Sequence, residues 1–153
     1  MSIRSLEVSS KGDKRFSALY AKVNVSGKYD SIENHYQLSK VFLNKMTGEH
    51  CRFGNFKQVK HIQRRDEYKL IGFIVNGKML DVSYLTGWYK ALWLKYFLKN
   101  QSLINVIMSY DNFTDMFTSV NTINSQVDIC KQIRYKGLSS LKDDCMDFIN
   151  QLR

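Results

Sequence analysis

The chain has 153 residues, a formal net charge of +9 and a pI near 9.5, with 44% hydrophobic and 13% aromatic residues. That is the length of one domain, expected to span 1–153, and the apolar content suits a packed core, which excludes intrinsic disorder. No apolar run approaches the roughly 18 residues of a membrane helix, and the opening MSIRSLEVSSKGDKRF does not read as a signal peptide, so no membrane partner is expected.

Three cysteines, Cys51, Cys130 and Cys145, leave one unpaired in any disulfide scheme and show no metal-ligand spacing. They are expected to be reduced thiols in a cytoplasmic protein, packing as small hydrophobes. A disulfide scaffold and a structural zinc domain are thereby set aside. The positive balance favours polyanionic partners. Between Lys45 and Lys78, eight basic residues face only Glu49, Asp66 and Glu67, a net +5 in 34 residues. Charge alone also fits a solvated basic loop.

In chain order, Leu6–Val8 reads as a short strand, followed by the turn-rich Ser9–Asp13. Phe16 to Val25 alternates loosely and runs into Ser26-Gly27-Lys28, as a strand entering a turn. Ser31 is a plausible N-cap for a helix reaching Phe42, with Ile32, Tyr36, Ser39 and Phe42 on one stripe. Gly48 and Gly54 bracket a basic connector with no readable element, in a stretch of basic connector and hairpin at about 45–82. Tyr68–Val75, Asn76-Gly77 and Lys78–Val82 form a hairpin pattern, since Asn-Gly readily takes the two positive φ values of a type I′ turn. Helical patterns follow at Leu85–Leu98, Leu103–Ser109, briefly at Phe113–Phe117, then at Ser125–Arg134 and Leu138–Leu152, the last two separated by Gly137. The expected class is α+β, mostly helical, with a small antiparallel sheet or hairpin.

No phosphate-binding Gly-rich loop, dinucleotide fingerprint, nucleophile elbow or H-E-x-x-H helix is present, and only three histidines could serve as bases. The informative segment is Ser31–Phe42. On a helix, Glu33, Gln37 and Lys40, at i, i+4 and i+7, share one face. A carboxylate, an amide and an ammonium converging on a pocket can orient a polar substrate, and the carboxylate can activate water or steady a cationic sugar transition state. The same spacing also fits an exposed charged face. Trp88, Tyr89, Trp93, Tyr96 and Phe97 invite a base-stacking reading, but their i, i+4 repeats are those of a core-packing helix, leaving Trp88 or Trp93 as a pocket edge.

The order of features resembles the NADAR (YbiA-like) family of N-glycosidases, which act on ADP-ribose-related and riboflavin-pathway glycosides. Phe16-Ser17, the Gly27-Lys28 turn and Ser31-x-Glu33 resemble the family's F-S-N-F…G…S-E-H-Y-F-Q-A-x-K-F entrance, and Glu33, Gln37 and Lys40 fall at its Glu, Gln and Lys. Arg52-Phe53-Gly54 resembles its R-x-G element, Ala91–Asn100 with Leu103–Met108 resembles its A-L-x-x-K-F helix pair, and Asn124 stands where it has N-x-L-G. The resemblance covers about residues 16–135. The chain departs from the pattern at Ala18, where the family has Asn, and at His35-Tyr36, one position late. It also has Val120–Asn124 in place of a Trp-Gly and Gly-rich loop, and Lys57–Lys78 looks inserted.

The resemblance implies an N-glycosidase-like hydrolase cleaving a ribosyl C–N bond in an ADP-ribosylated or nucleotide-linked substrate. Glu33 would stabilise the oxocarbenium-like cation or deprotonate water, with Asp115, or Asp111, as second acid unless they merely cap a helix. Ser17, Gln37, Lys40, Arg52, Gly54, Trp88 and Asn124 would bind substrate, Arg52 holding a phosphate. Lys57, Lys60, Arg64 and Arg65 would recruit DNA or RNA. No metal or other cofactor is implied. The alternative is a noncatalytic nucleic-acid- or nucleotide-binding protein of a phage or mobile element that uses the basic surface alone.

Overall fold

The computed structural model describes residues 3–117 and 124–153. Its elements are β1 (Ser5–Glu7), β2 (Lys22–Val25), β3 (Lys28–Ser31), α1 (Ile32–Leu38), β4 (Lys40–Asn44), β5 (His50–Cys51), α2 (Phe56–Gln63), β6 (Tyr68–Val75), β7 (Lys78–Leu80), α3 (Leu85–Lys99), α4 (Ser102–Met108), β8 (Asn112–Thr114), α5 (Gln126–Lys136) and α6 (Leu138–Gln151). The class is α+β, with helices around small sheets. An antiparallel sheet runs β5-β4-β6-β7, β2 and β3 form a separate hairpin, and β1 pairs in parallel with β8. The hairpin at Asn76-Gly77 forms as expected, with both residues at positive φ.

The core gathers around α3. Trp93 and Phe97 are fully buried and stack at 5.5 Å, and Leu92, Tyr89 and Tyr96 continue the apolar face. Trp88 is buried too, its indole N–H donating to Ser39 Oγ at 3.1 Å. The aromatic run is therefore core. α6 packs along α3, and at Gly87 an added Cβ would stand 2.8 Å from Phe148 Cβ. Gly87→Ala is expected to destabilise the fold by about 1 kcal/mol, because overpacking of roughly 1–3 kcal/mol outweighs about 1 kcal/mol of helix propensity. Denaturant melts of the two chains check this.

Four expectations are corrected. The helix opened by Ser31 ends at Leu38 rather than Phe42. Ser39 Oγ donates to the Tyr36 carbonyl at 2.6 Å, and the β-favouring Val41-Phe42-Leu43 pairs with β6 instead. Of the strand expected at Phe16–Val25, only Lys22–Val25 is extended; Lys14–Phe16 is a 3-10 turn capped by Asp13. The basic connector carries α2, capped by Asn55 and anchored by Val59 and Ile62 against Phe42. Burying two such aliphatic side chains is worth about 1.5–3 kcal/mol each, enough to fix a short helix whose other faces are charged. Finally, Phe113 lies in strand β8, not in a helix; its side chain is buried while its backbone pairs with Leu6.

Candidate active site

α1 sets out the site. Ser31 Oγ accepts the Asn34 N–H at 3.0 Å, closing the helix start, and the Glu33 N–H donates to the Ala18 carbonyl at 2.9 Å. Glu33 is thus fixed in the first turn, where the helix dipole favours a carboxylate. It is only 9% exposed. Its Oε1 accepts from Gln37 Nε2 at 3.2 Å and from Lys60 Nζ, on α2, at 2.9 Å.

Lys40 comes next along the same face, although it opens a strand. Its side chain is buried, and Nζ donates to Gln63 Oε1 at 2.6 Å and lies 4.6 Å from the centre of the Tyr36 ring. Burial pulls its pKa down to about 8; the Lys60 charge pulls the same way, and Glu33 opposes both. Tyr36 is pushed up to about 12, again by burial, and its hydroxyl accepts from Asn124 Nδ2 at 2.7 Å. It is a neutral hydroxyl at physiological pH.

These residues border two adjoining chambers. The first, of about 400 Å³, is largely polar; Ser17, Glu33, Lys60, Arg64 and Asp115 line it. The second, of about 590 Å³, is lined by Lys40 and by Phe42, Tyr68, Leu70, Val82 and Leu85. Tyr36, Gln37, Gln63 and Asn124 border both and form the septum between them. Of the sequence-derived site residues, Ser17, Glu33, Gln37, Lys40, Asp115 and Asn124 are brought together here, and Lys60 and Arg64 of the basic group join them.

The others lie elsewhere. Arg52 Nη2 donates to the Leu38 carbonyl at 3.0 Å, and with Trp88 it borders a separate depression beside Asn34 and His35, on the opposite face of α1. Around Gly54 the space is open, so nothing there requires the missing side chain. Lys57 is exposed on α2, and Arg65 pairs with Glu67. Asp111 supports the chain ends, its Oδ2 accepting from the Arg4 N–H at 3.2 Å. Val120–Ile123, expected to replace the Gly-rich loop, lies outside the described residues.

Two contributors, Gln126 and Gln63, carried no sequence signal, and Tyr36 carried one only as a stripe residue of α1 and in the His35-Tyr36 pair. Gln126 Nε2 donates to Asp115 Oδ2 at 2.7 Å while its Oε1 accepts from the Ala18 N–H at 2.9 Å, tying α5 to the turn that holds Glu33. Asp115 Oδ1 accepts from the Phe117 N–H at 3.0 Å, so both its oxygens are engaged. Gln63 anchors Lys40, and Tyr36 closes the septum. Long-range partners of this kind have no local spacing to betray them.

The profile of the DarT1-associated NADAR antitoxin family matches residues 2–143. The chain belongs to that family. It is therefore a member of the NADAR superfamily, as the resemblance in the order of its motifs implied. Membership assigns this NADAR protein a general N-glycosidase-like function with a link to ADP-ribosylation. No curated protein matches the chain. Among the described residues, no helix is long and apolar enough to cross a membrane, and no group of three or more His, Cys, Asp or Glu is placed to hold a metal ion.

Proposed function

We propose that this NADAR protein hydrolyses the N-glycosidic bond joining the ribose of an ADP-ribosyl group to a nucleic-acid base. The observation that carries the reading is the Glu33 carboxylate, nearly buried, held through Oε1 by both Gln37 and Lys60, and bordering a polar chamber that Arg64 also lines. As the C–N bond breaks, its electrons leave with the base nitrogen and the ring oxygen shares the positive charge on the anomeric carbon. A fixed carboxylate beside that carbon stabilises the cation in a site of reduced dielectric. Glu33 then takes a proton from water as the water oxygen bonds to the anomeric carbon, and that proton passes on to the departing base nitrogen, giving ADP-ribose and the unmodified base.

The cations have separate tasks. Lys60 and Arg64 hold the diphosphate in the first chamber, and Lys40, bonded to Gln63 of the septum from the second-chamber side, orients the ribose oxygens nearest it. Asp115, with both oxygens engaged, anchors Gln126 and so the Ala18 turn, a positioning role in place of a second acid. Lys57, exposed on the helix that carries Lys60 and is capped by Arg64, extends the basic surface toward the nucleic-acid backbone.

The test is incubation with an oligonucleotide bearing one ADP-ribosylated base, at low and high salt. The expected result is free ADP-ribose, with affinity for the oligonucleotide falling as salt rises because backbone contacts release counterions. Salt-sensitive binding without release would instead make the chain a noncatalytic binder.

A further inference from the structure

We infer that the second chamber, beyond the Tyr36–Gln37 septum, is the binding site for the departing nucleobase. The inference rests on the glycosidase reading above and adds to it where each half of the substrate lies. Glu33 borders only the first chamber, close to the septum through its bond to Gln37. The anomeric carbon must lie beside Glu33, and the base nitrogen is one bond from that carbon. The base therefore sits next to the septum, whereas the distal adenine is separated from it by a ribose and a diphosphate.

The chemistry of the two walls agrees with this division. Lys60 and Arg64 give the first chamber the cations a diphosphate needs. The second presents Phe42, Tyr68, Leu70 and Leu85, apolar faces suited to a planar heteroaromatic ring, and its one ammonium, Lys40, is already bonded to Gln63.

Gln37 supplies an independent observation. It is 7% exposed, borders both chambers, and its Oε1 is buried without a hydrogen-bond partner among the described residues. The orientation of this amide is fixed chemically: an ionised Glu33 only accepts, so the nitrogen of Gln37 must face it and the oxygen must face away. A buried acceptor without a partner is matched by a donor hydrogen, N–H or hydroxyl, of a ligand that reaches the septum. A nucleobase carries ring and exocyclic N–H groups along one edge, and diphosphate oxygens carry none.

The experiment fills the second chamber from its rim. Val82 is 39% exposed and Thr86 is exposed at the start of α3, so Val82→Trp and Thr86→Trp place bulk in the chamber without disturbing the core. Isothermal titration with ADP-ribose and turnover of the ADP-ribosylated oligonucleotide are measured on the full chain and both variants, with thermal melts as the folding control. ADP-ribose affinity is expected to stay within about two-fold, while kcat/KM for the oligonucleotide falls at least roughly 30-fold. Parallel loss of ADP-ribose affinity would overturn the inference and place the ADP moiety in this chamber. Unchanged turnover in both variants would overturn it as well, leaving Glu33 in its role. A wild-type chain that neither binds ADP-ribose nor releases it would remove the glycosidase reading and this inference together.

Discussion

A Glu33→Gln chain is expected to bind ADP-ribose yet release it from an oligonucleotide about 10²–10⁴-fold more slowly than the wild type. The amide keeps the shape of the side chain and can still accept from Lys60, so the cleft stays intact. What is lost is the negative charge opposite the forming cation and the basic oxygen that receives the proton of water. Little of the fold depends on that charge. Glu33 is held through its backbone N–H to Ala18 and through the Ser31 cap. Its partner Lys60 has a 46% exposed side chain, so the ion pair contributes at most about 1 kcal/mol. Single-turnover release of ADP-ribose, read beside a thermal melt, separates the two effects. Wild-type rates in the variant would move the chemistry to another group.

Lys40→Met should make the protein more stable and less active. At neutral pH the native chain must hold an ammonium at 6% exposure, which the unfolded chain solvates freely. The folded pKa, about 8 against the ordinary 10.5, measures that penalty. A difference of this size is on the order of 3 kcal/mol, fully present below pH 8. Between about 8 and 10.5 the native lysine has lost its proton while the unfolded one keeps it, so wild-type stability rises with pH across that window.

Methionine removes the buried charge with a side chain of similar length, and Gln63, which is exposed, turns to water. Urea unfolding of both chains should therefore favour Lys40→Met at pH 7, with the gap narrowing above pH 8 and closing near pH 10.5. Taking the difference between chains cancels the other titrations. If Lys40 orients substrate as an ammonium, wild-type kcat/KM should fall above pH about 8, and the variant should turn over slowly at every pH. A gap that widened with pH would contradict the assignment.

Much of this site was readable before the fold was known. The i, i+4, i+7 spacing brought Glu33, Gln37 and Lys40 to one side even though α1 stops at Leu38. The backbone at Ser39 is still in the right-handed helical region, so the face carries on for one more residue before β4 begins. The aromatic helix α3, the Asn-Gly hairpin and the cap at Ser31 are local patterns and formed where the pattern put them. α2 was hidden because only Val59 and Ile62 of its eight residues are buried, too few for a periodic signal among so many charges.

Arg52 shows the limit of motif order. It stands at the expected place in the chain, but β5 carries it to the other face of α1, and the cations that line the first chamber are instead Lys60 and Arg64, in a stretch with no element readable from the sequence. The bond from the Ala18 N–H to Gln126 joins residues 108 apart and belongs to tertiary structure alone.

The central claim is that a ribosyl C–N bond is cut. The most direct measurement is mass spectrometry of both products after reaction with an oligonucleotide carrying a single ADP-ribosylated base. The account predicts an oligonucleotide restored to its unmodified mass, together with intact ADP-ribose. An oligonucleotide still bearing ribose phosphate, with AMP released, would mean that the diphosphate is cut instead and would contradict it.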